Sequence, residues 1–141
     1  MAIRVFITGG TFDKTYDEIS GRLLFADTHI HEMLQLGRCR LDLAVRTLMM
    51  VDSLDMTDAD RRLVLENCRG AAEERILVTH GTDTMTDTAR VLGEACLPKT
   101  IVLTGAMGLP YPVAVLVVLI ESLGAVALVA GLAGRLAAAG V

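Results

Sequence analysis

The sequence predicts an α/β chain with a mostly parallel sheet flanked by helices. Short β-branched runs stopped by glycine supply the strands, and helix-like stretches alternate with them at crossover spacing. The length of 141 residues suffices for one domain with a real core but not for two.

Arg4–Thr8 reads as a short buried strand that Gly9-Gly10 stops. Residues 11–21 are polar and charged, which predicts a long mobile loop. A helix is expected over Ile30–Gly37, ended by Gly37. Leu41–Val51 is mixed in character and reads as a strand running into Asp52-Ser53-Leu54-Asp55. Thr57 with Asp60 three residues on resembles a capping box, and Leu63, Val64 and Cys68 then give a helical face to about Arg69. Arg75–Thr79 is the next strand, bounded by His80-Gly81. Asp83 or Thr84 can cap a helix running to about Ala95, which Pro98 prevents from continuing. Thr100–Leu103 is a further strand, stopped at Gly105.

Composition narrows the partners. Hydrophobic residues make up 52% and aromatics 4%, so the core must be aliphatic. A net charge of −4 argues against nucleic acid, which rewards cationic surfaces. Cys39, Cys68 and Cys96 show neither a CxxC pair nor zinc spacing, and read as free buried thiols in a reducing cytoplasm. Met1-Ala2-Ile3-Arg4 runs straight into a strand pattern, so no signal peptide is expected. From Val113 to Gly134 the chain is almost wholly apolar, at the length of a membrane span. Glu121 inside it would cost about 2.5–3.5 kcal/mol on insertion scales, so a buried packing segment is preferred to a span. Residues 1–107 are therefore read as the α/β core, and 108–141 as a divergent aliphatic tail packed on the same domain.

In parallel sheets, ligands sit beyond the carboxyl ends of the strands. Thr8-Gly9-Gly10-Thr11, Asp52-Ser53 and His80-Gly81-Thr82-Asp83-Thr84 all fall at such ends. Taken singly, the first is an ordinary βα turn and the last a helix cap with spare hydroxyls. A phosphate cradle would need a GxGxxG run or a P-loop lysine, and neither is present. Taken together, they hold two threonines among free backbone N–H groups, a setting in which a hydroxyl can attack a carbonyl.

Four segments carry a resemblance. Thr8-Gly9-Gly10-Thr11-Phe12, Asp52-Ser53-Leu54-Asp55-Met56, Val78-Thr79-His80-Gly81-Thr82-Asp83-Thr84-Met85 and Ile101-Val102-Leu103-Thr104-Gly105-Ala106-Met107 look like the bacterial L-asparaginase (asparaginase/glutaminase) family. Their order and spacing resemble its amino-terminal domain, most closely that of the short single-domain members. The resemblance implies a single Rossmann-like domain, to which the apolar carboxyl-terminal tail is an atypical addition. It implies hydrolysis of L-asparagine, with L-glutamine as a second candidate, to the acid and ammonia. It places Thr11 as the nucleophile, Tyr16 as its activator and Thr82 as the second active-site threonine. Ser53 would hold the substrate's α-carboxylate and Asp83 its α-amino group, with Asp52 a further substrate-binding residue. It implies a cytoplasmic homo-oligomer acting on a small molecule, with no cofactor, no metal and no membrane.

The family also supplies a lysine from beyond the last of these motifs, whereas this chain's only lysines are Lys14 and Lys99. An amino-acid-binding protein of impaired activity is accordingly the alternative function. A shortened or frame-altered carboxyl end would account for the difference. Asp27, His29, His31 and Glu32 could hold a metal if they lay on a strand. Thr28–Glu32 reads instead as a loop entering a helix, where the two rings would diverge. His80 is expected to brace its loop, Arg61-Arg62 to form a solvated helix face, and Met49, Met50 and Met56 to fill the core.

Overall fold

The computed structural model describes residues 2–106, so the expectations for the aliphatic tail lie outside the described residues. Four parallel strands form the main sheet: β1 (Ile3–Ile7), β4 (Leu43–Thr47), β5 (Arg75–Thr79) and β6 (Thr100–Thr104), in the order β4-β1-β5-β6. Val5 is paired to Val45 on one side and to Leu77 on the other. Among the described residues, three α-helices accompany it: α1 (Ile30–Leu36), α2 (Asp58–Gly70) and α3 (Met85–Glu94). This is the predicted α/β fold, with helices between the strands.

The core is aliphatic, as the composition requires. Val64 and Cys68 of α2 and Leu92 of α3 bury against Phe6, Ile76 and Val78 of the sheet. The capping box at Thr57 forms as predicted: its hydroxyl accepts from the Asp60 N–H while the Asp60 carboxylate accepts from the Thr57 N–H. Leu63 departs from the expected apolar face and is nearly half exposed, because the buried stripe runs through positions 61, 64 and 68. Cys39 and Cys96 are exposed, so only Cys68 is the buried thiol expected of all three.

Residues 11–21 correct a further expectation. A 3-10 turn, Thr11–Asp13, is followed by an antiparallel hairpin of β2 (Lys14–Asp17) and β3 (Arg22–Phe25). The hairpin has a physical cause in its turn. The Asp17 carboxylate accepts from the Ile19 N–H and the Ser20 hydroxyl, and Gly21 adopts a left-handed φ of 68°.

The connections set the site. From β1 the chain crosses to β4 on one side, then returns past β1 to β5 and on to β6. The direction of winding reverses between β1 and β5. In open parallel sheets such a reversal marks the carboxyl-terminal edge where ligands bind. The Gly9-Gly10-Thr11 and His80-Gly81-Thr82 turns are the ones that leave it.

Candidate active site

Backbone hydrogen bonds continue past the strand ends and bind the turns together. Thr8 N–H donates to the Thr79 carbonyl at 3.2 Å, and its hydroxyl donates to the same oxygen at 2.7 Å. Val51 N–H donates to the Thr8 carbonyl at 3.2 Å, and His80 N–H to the Thr104 carbonyl at 2.8 Å. All four strands of the sheet thus contribute to one carboxyl-terminal rim.

Close approach explains the glycines. Gly10 has φ 116° and lies against His80 and Gly81, where an added Cβ would meet the Gly81 nitrogen at 2.9 Å. A Cβ on Gly81 would in turn meet Ser53 Oγ at 2.5 Å. The three turns therefore pack glycine on glycine and glycine on serine, bringing the backbone of residues 10, 53 and 81 together. Thr82 touches the fourth turn: its Cγ2 would lie 3.1 Å from a Cβ on Gly105.

The residues that the sequence singled out fall as follows. Thr11 opens the 3-10 turn beside Gly10 and is exposed; Thr82 and Asp83 follow Gly81 and are also exposed. Ser53 is buried, and its hydroxyl has no hydrogen-bond partner among the described residues. A buried hydroxyl left so is costly, and a ligand oxygen would satisfy it. Asp52 accepts from the Leu54 N–H and pairs with the Lys14 ammonium. That ammonium, followed by the Leu54 N–H, holds the Asp52 carboxyl below its usual range. Tyr16 stands on β2 opposite Leu23, more than half exposed, with its hydroxyl against Gly21 in the hairpin turn. The structure therefore gathers Thr11, Ser53, Thr82 and Asp83 on one rim, while Tyr16 leans toward the hairpin tip.

His80 braces its turn, as expected. It is fully buried, with Nδ1 2.7 Å from the Gly81 carbonyl and Nε2 2.7 Å from Thr88 Oγ1. A carbonyl only accepts, so Nδ1 carries the proton and Nε2 of the neutral ring accepts from Thr88. Burial depresses its pKa and keeps the ring neutral.

Thr84 and Arg61 depart from their expected parts, whereas His29 and Lys99 keep theirs. Thr84 occupies the cap position of α3 without a side-chain capping bond; its hydroxyl donates instead to the Ser53 carbonyl at 2.7 Å. Arg61, read as solvated, is 7% exposed, and its spacing from Val64 and Cys68 was the signal that placed it on the buried stripe. His29 stands at the cap position of α1 with His31 in the first turn, so the loop does enter a helix there. Lys99 lies at the opposite end of the sheet from the site, donating to the carbonyls of Arg69 and Ala71.

Comparison with known proteins agrees with this fold. The family description "Asparaginase, N-terminal" matches residues 2–111. The chain belongs to the asparaginase family. Its structure is similar to the thermostable L-asparaginase from Thermococcus kodakarensis, with a TM-score of 0.65 and 30% identity over 79% of this chain and 36% of that one. It shares its fold with L-asparaginase I from Vibrio cholerae O1 biovar eltor str. N16961, at a TM-score of 0.63 and 24% identity over 74% of this chain and 33% of that one. The chain thus spans about a third of the length of these asparaginases. Among curated proteins, none matches it significantly. No helix among the described residues is long and apolar enough to cross a membrane.

Proposed function

We propose that this chain carries the amino-acid site of an asparaginase-type amidohydrolase, with L-asparagine as substrate and Thr11 as nucleophile. One observation carries the reading: Gly10 packs on His80-Gly81 and Gly81 on Ser53, so an exposed threonine, a buried hydroxyl unpartnered among the described residues and an exposed acid share one rim. Ser53 Oγ donates to the substrate's α-carboxylate and Asp83 accepts from its α-ammonium, opposite charges and donors meeting a zwitterion. Thr11 Oγ attacks the side-chain amide carbon, and its proton passes to the departing amide nitrogen. The C–N bond breaks, ammonia leaves with that proton, and water hydrolyses the resulting aspartyl ester. Backbone N–H groups of the glycine turns steady the oxyanion in this reading.

The test is ammonia release from asparagine by the 141-residue chain beside Thr11→Ala. Release that falls by about a thousandfold or more in the variant is the expected result. Equal release by both proteins removes Thr11 from the mechanism.

A second reading, binding without turnover, is favoured by the placement of the lysines. Lys99 is committed at the far end of the sheet and Lys14 to Asp52, so neither is bonded to Thr82. Thermal stabilisation by aspartate with no ammonia released from asparagine would select it.

A further inference from the structure

Ser53 and the Thr82-Asp83 pair follow β4 and β5, which are not neighbours in the sheet, because β1 lies between them. Strand pairing therefore leaves the spacing of these two turns to other contacts. Gly81 packs directly on Ser53, and beside that contact a single guanidinium links the two turns. Arg61 of α2 donates through Nη1 to the Met56 carbonyl at 2.8 Å and through Nη2 to Thr84 Oγ1 at 3.1 Å. The Thr84 hydroxyl donates in turn to the Ser53 carbonyl at 2.7 Å. The carbonyls of Ser53 and Met56 bracket the 3-10 turn Ser53–Asp55, so the circuit closes around the turn that carries Ser53.

We propose that Arg61 is a positioning residue that acts through Thr84. It fixes the Ser53 turn against the Thr82-Asp83 turn and so sets the affinity of the rim for an α-amino acid. The proposal rests on the amino-acid site argued above.

Stability alone is a poor account of this side chain. Arg61 is buried, and Asp58, its ion-pair partner, is 3.9 Å away with an 88% exposed side chain. Arg61 Nε has no hydrogen-bond partner among the described residues. A buried cation so loosely paired pays desolvation with little Coulombic return, and an apolar side chain of similar volume is often as stable. What an apolar side chain cannot do is hold two acceptors from different turns at once. A lysine has the charge but not the planar fork.

The test uses the 141-residue chain, with aspartate binding followed by calorimetry and amide exchange followed at residues 53–56 and 80–84. Thr84→Val and Arg61→Met each weaken aspartate by about tenfold, the scale of one hydrogen bond to a charged group. Combined, they weaken it little further, because both open the same circuit. Thr84→Ser regains most of what Thr84→Val loses, whereas Arg61→Lys does not restore binding. Exchange quickens in both turns together in Arg61→Met, and Thr84→Val carries the same test should that variant fail to fold. Exchange altered in one turn only, or in neither, overturns the clamp whether or not a ligand binds. Faster exchange with unchanged affinity overturns its role in binding, and lower global stability alone with unchanged affinity marks Arg61 as merely structural. A wild-type chain that binds no amino acid overturns the functional reading instead, and the clamp is then decided by exchange.

Discussion

Gly81 has no room for a side chain, and what crowds it is the candidate ligand Ser53 itself. A Cβ at position 81 would lie 2.5 Å from Ser53 Oγ and 2.7 Å from Ser53 Cβ. Gly81→Ala must push Ser53 out of its buried position, at a cost of about 1–3 kcal/mol for overpacking. Aspartate binding should fall by more than about tenfold, the loss expected when a charge-assisted hydrogen bond is removed. Ser53→Gly added to Gly81→Ala relieves the clash, so urea midpoints should recover while calorimetric affinity does not. Recovery of both would free Ser53 of any part in binding. The place of Thr82 and Asp83 on the rim was legible because they follow Gly81 at a strand end, and that of Ser53 because its Asp-Ser turn follows another strand. Arg61 was not, because its neighbour Arg62 and the acids Asp58 and Asp60 made the segment look solvated. Its partners are a main-chain carbonyl and a threonine hydroxyl 23 residues away, which composition does not reveal.

At the scale of elements, β2 and β3 form a sheet of their own, and the Lys14–Asp52 ion pair ties this hairpin to the turn that carries Ser53. Lys14 also lies over the Phe25 ring, 5.3 Å from its centre. Both carboxylate and ammonium are more than two-thirds buried, so salt screens the pair only in part. Lys14→Met should loosen the hairpin by about 1 kcal/mol, read as roughly fivefold faster tryptic cleavage after the exposed Arg22. Cleavage at the wild-type rate would show that the pair does not fasten the hairpin. The parallel strands and α2 were readable because β-branched runs, glycine stops and a capping box each report on local backbone chemistry. The hairpin escaped that reading. Its strands are four residues long and mostly exposed, and they are held by an Asp17-centred turn and a contact 38 residues distant. Hydrophobic periodicity is weak in so short a segment, and polarity suggested a loop.

Across the whole molecule, the titrating groups define the pH range in which the rim is intact. His80 binds its proton less readily when folded, owing to burial, and Asp52 and Asp60 do so through their bonds to Lys14 and Thr57. For each of these, unfolding takes up protons, so stability declines as pH falls. The His80 contribution is complete above its ordinary value of 6.5 and declines below it, whereas those of the carboxylates are lost only below about 3.8. Cys68 has the opposite sign. Burial pushes its thiol from 9.0 up to about 11, so its contribution is complete below 9.0 and is lost as pH rises toward 11. That shift corresponds to roughly 2–3 kcal/mol. Stability should therefore form a plateau between about pH 6.5 and 9.0, with an early acid shoulder from His80 and an alkaline limb from Cys68. Urea midpoints measured from pH 4 to 11 check this, with Cys68→Ala expected to flatten the alkaline limb alone. A limb that survives in Cys68→Ala assigns it to another group, and a midpoint constant down to pH 4 removes the His80 shoulder. Because His80 orders the Gly81 carbonyl next to Thr82, aspartate affinity should weaken over the same acid shoulder, before global unfolding begins. Affinity that holds steady until the fold melts would separate the brace at His80 from the function of the rim.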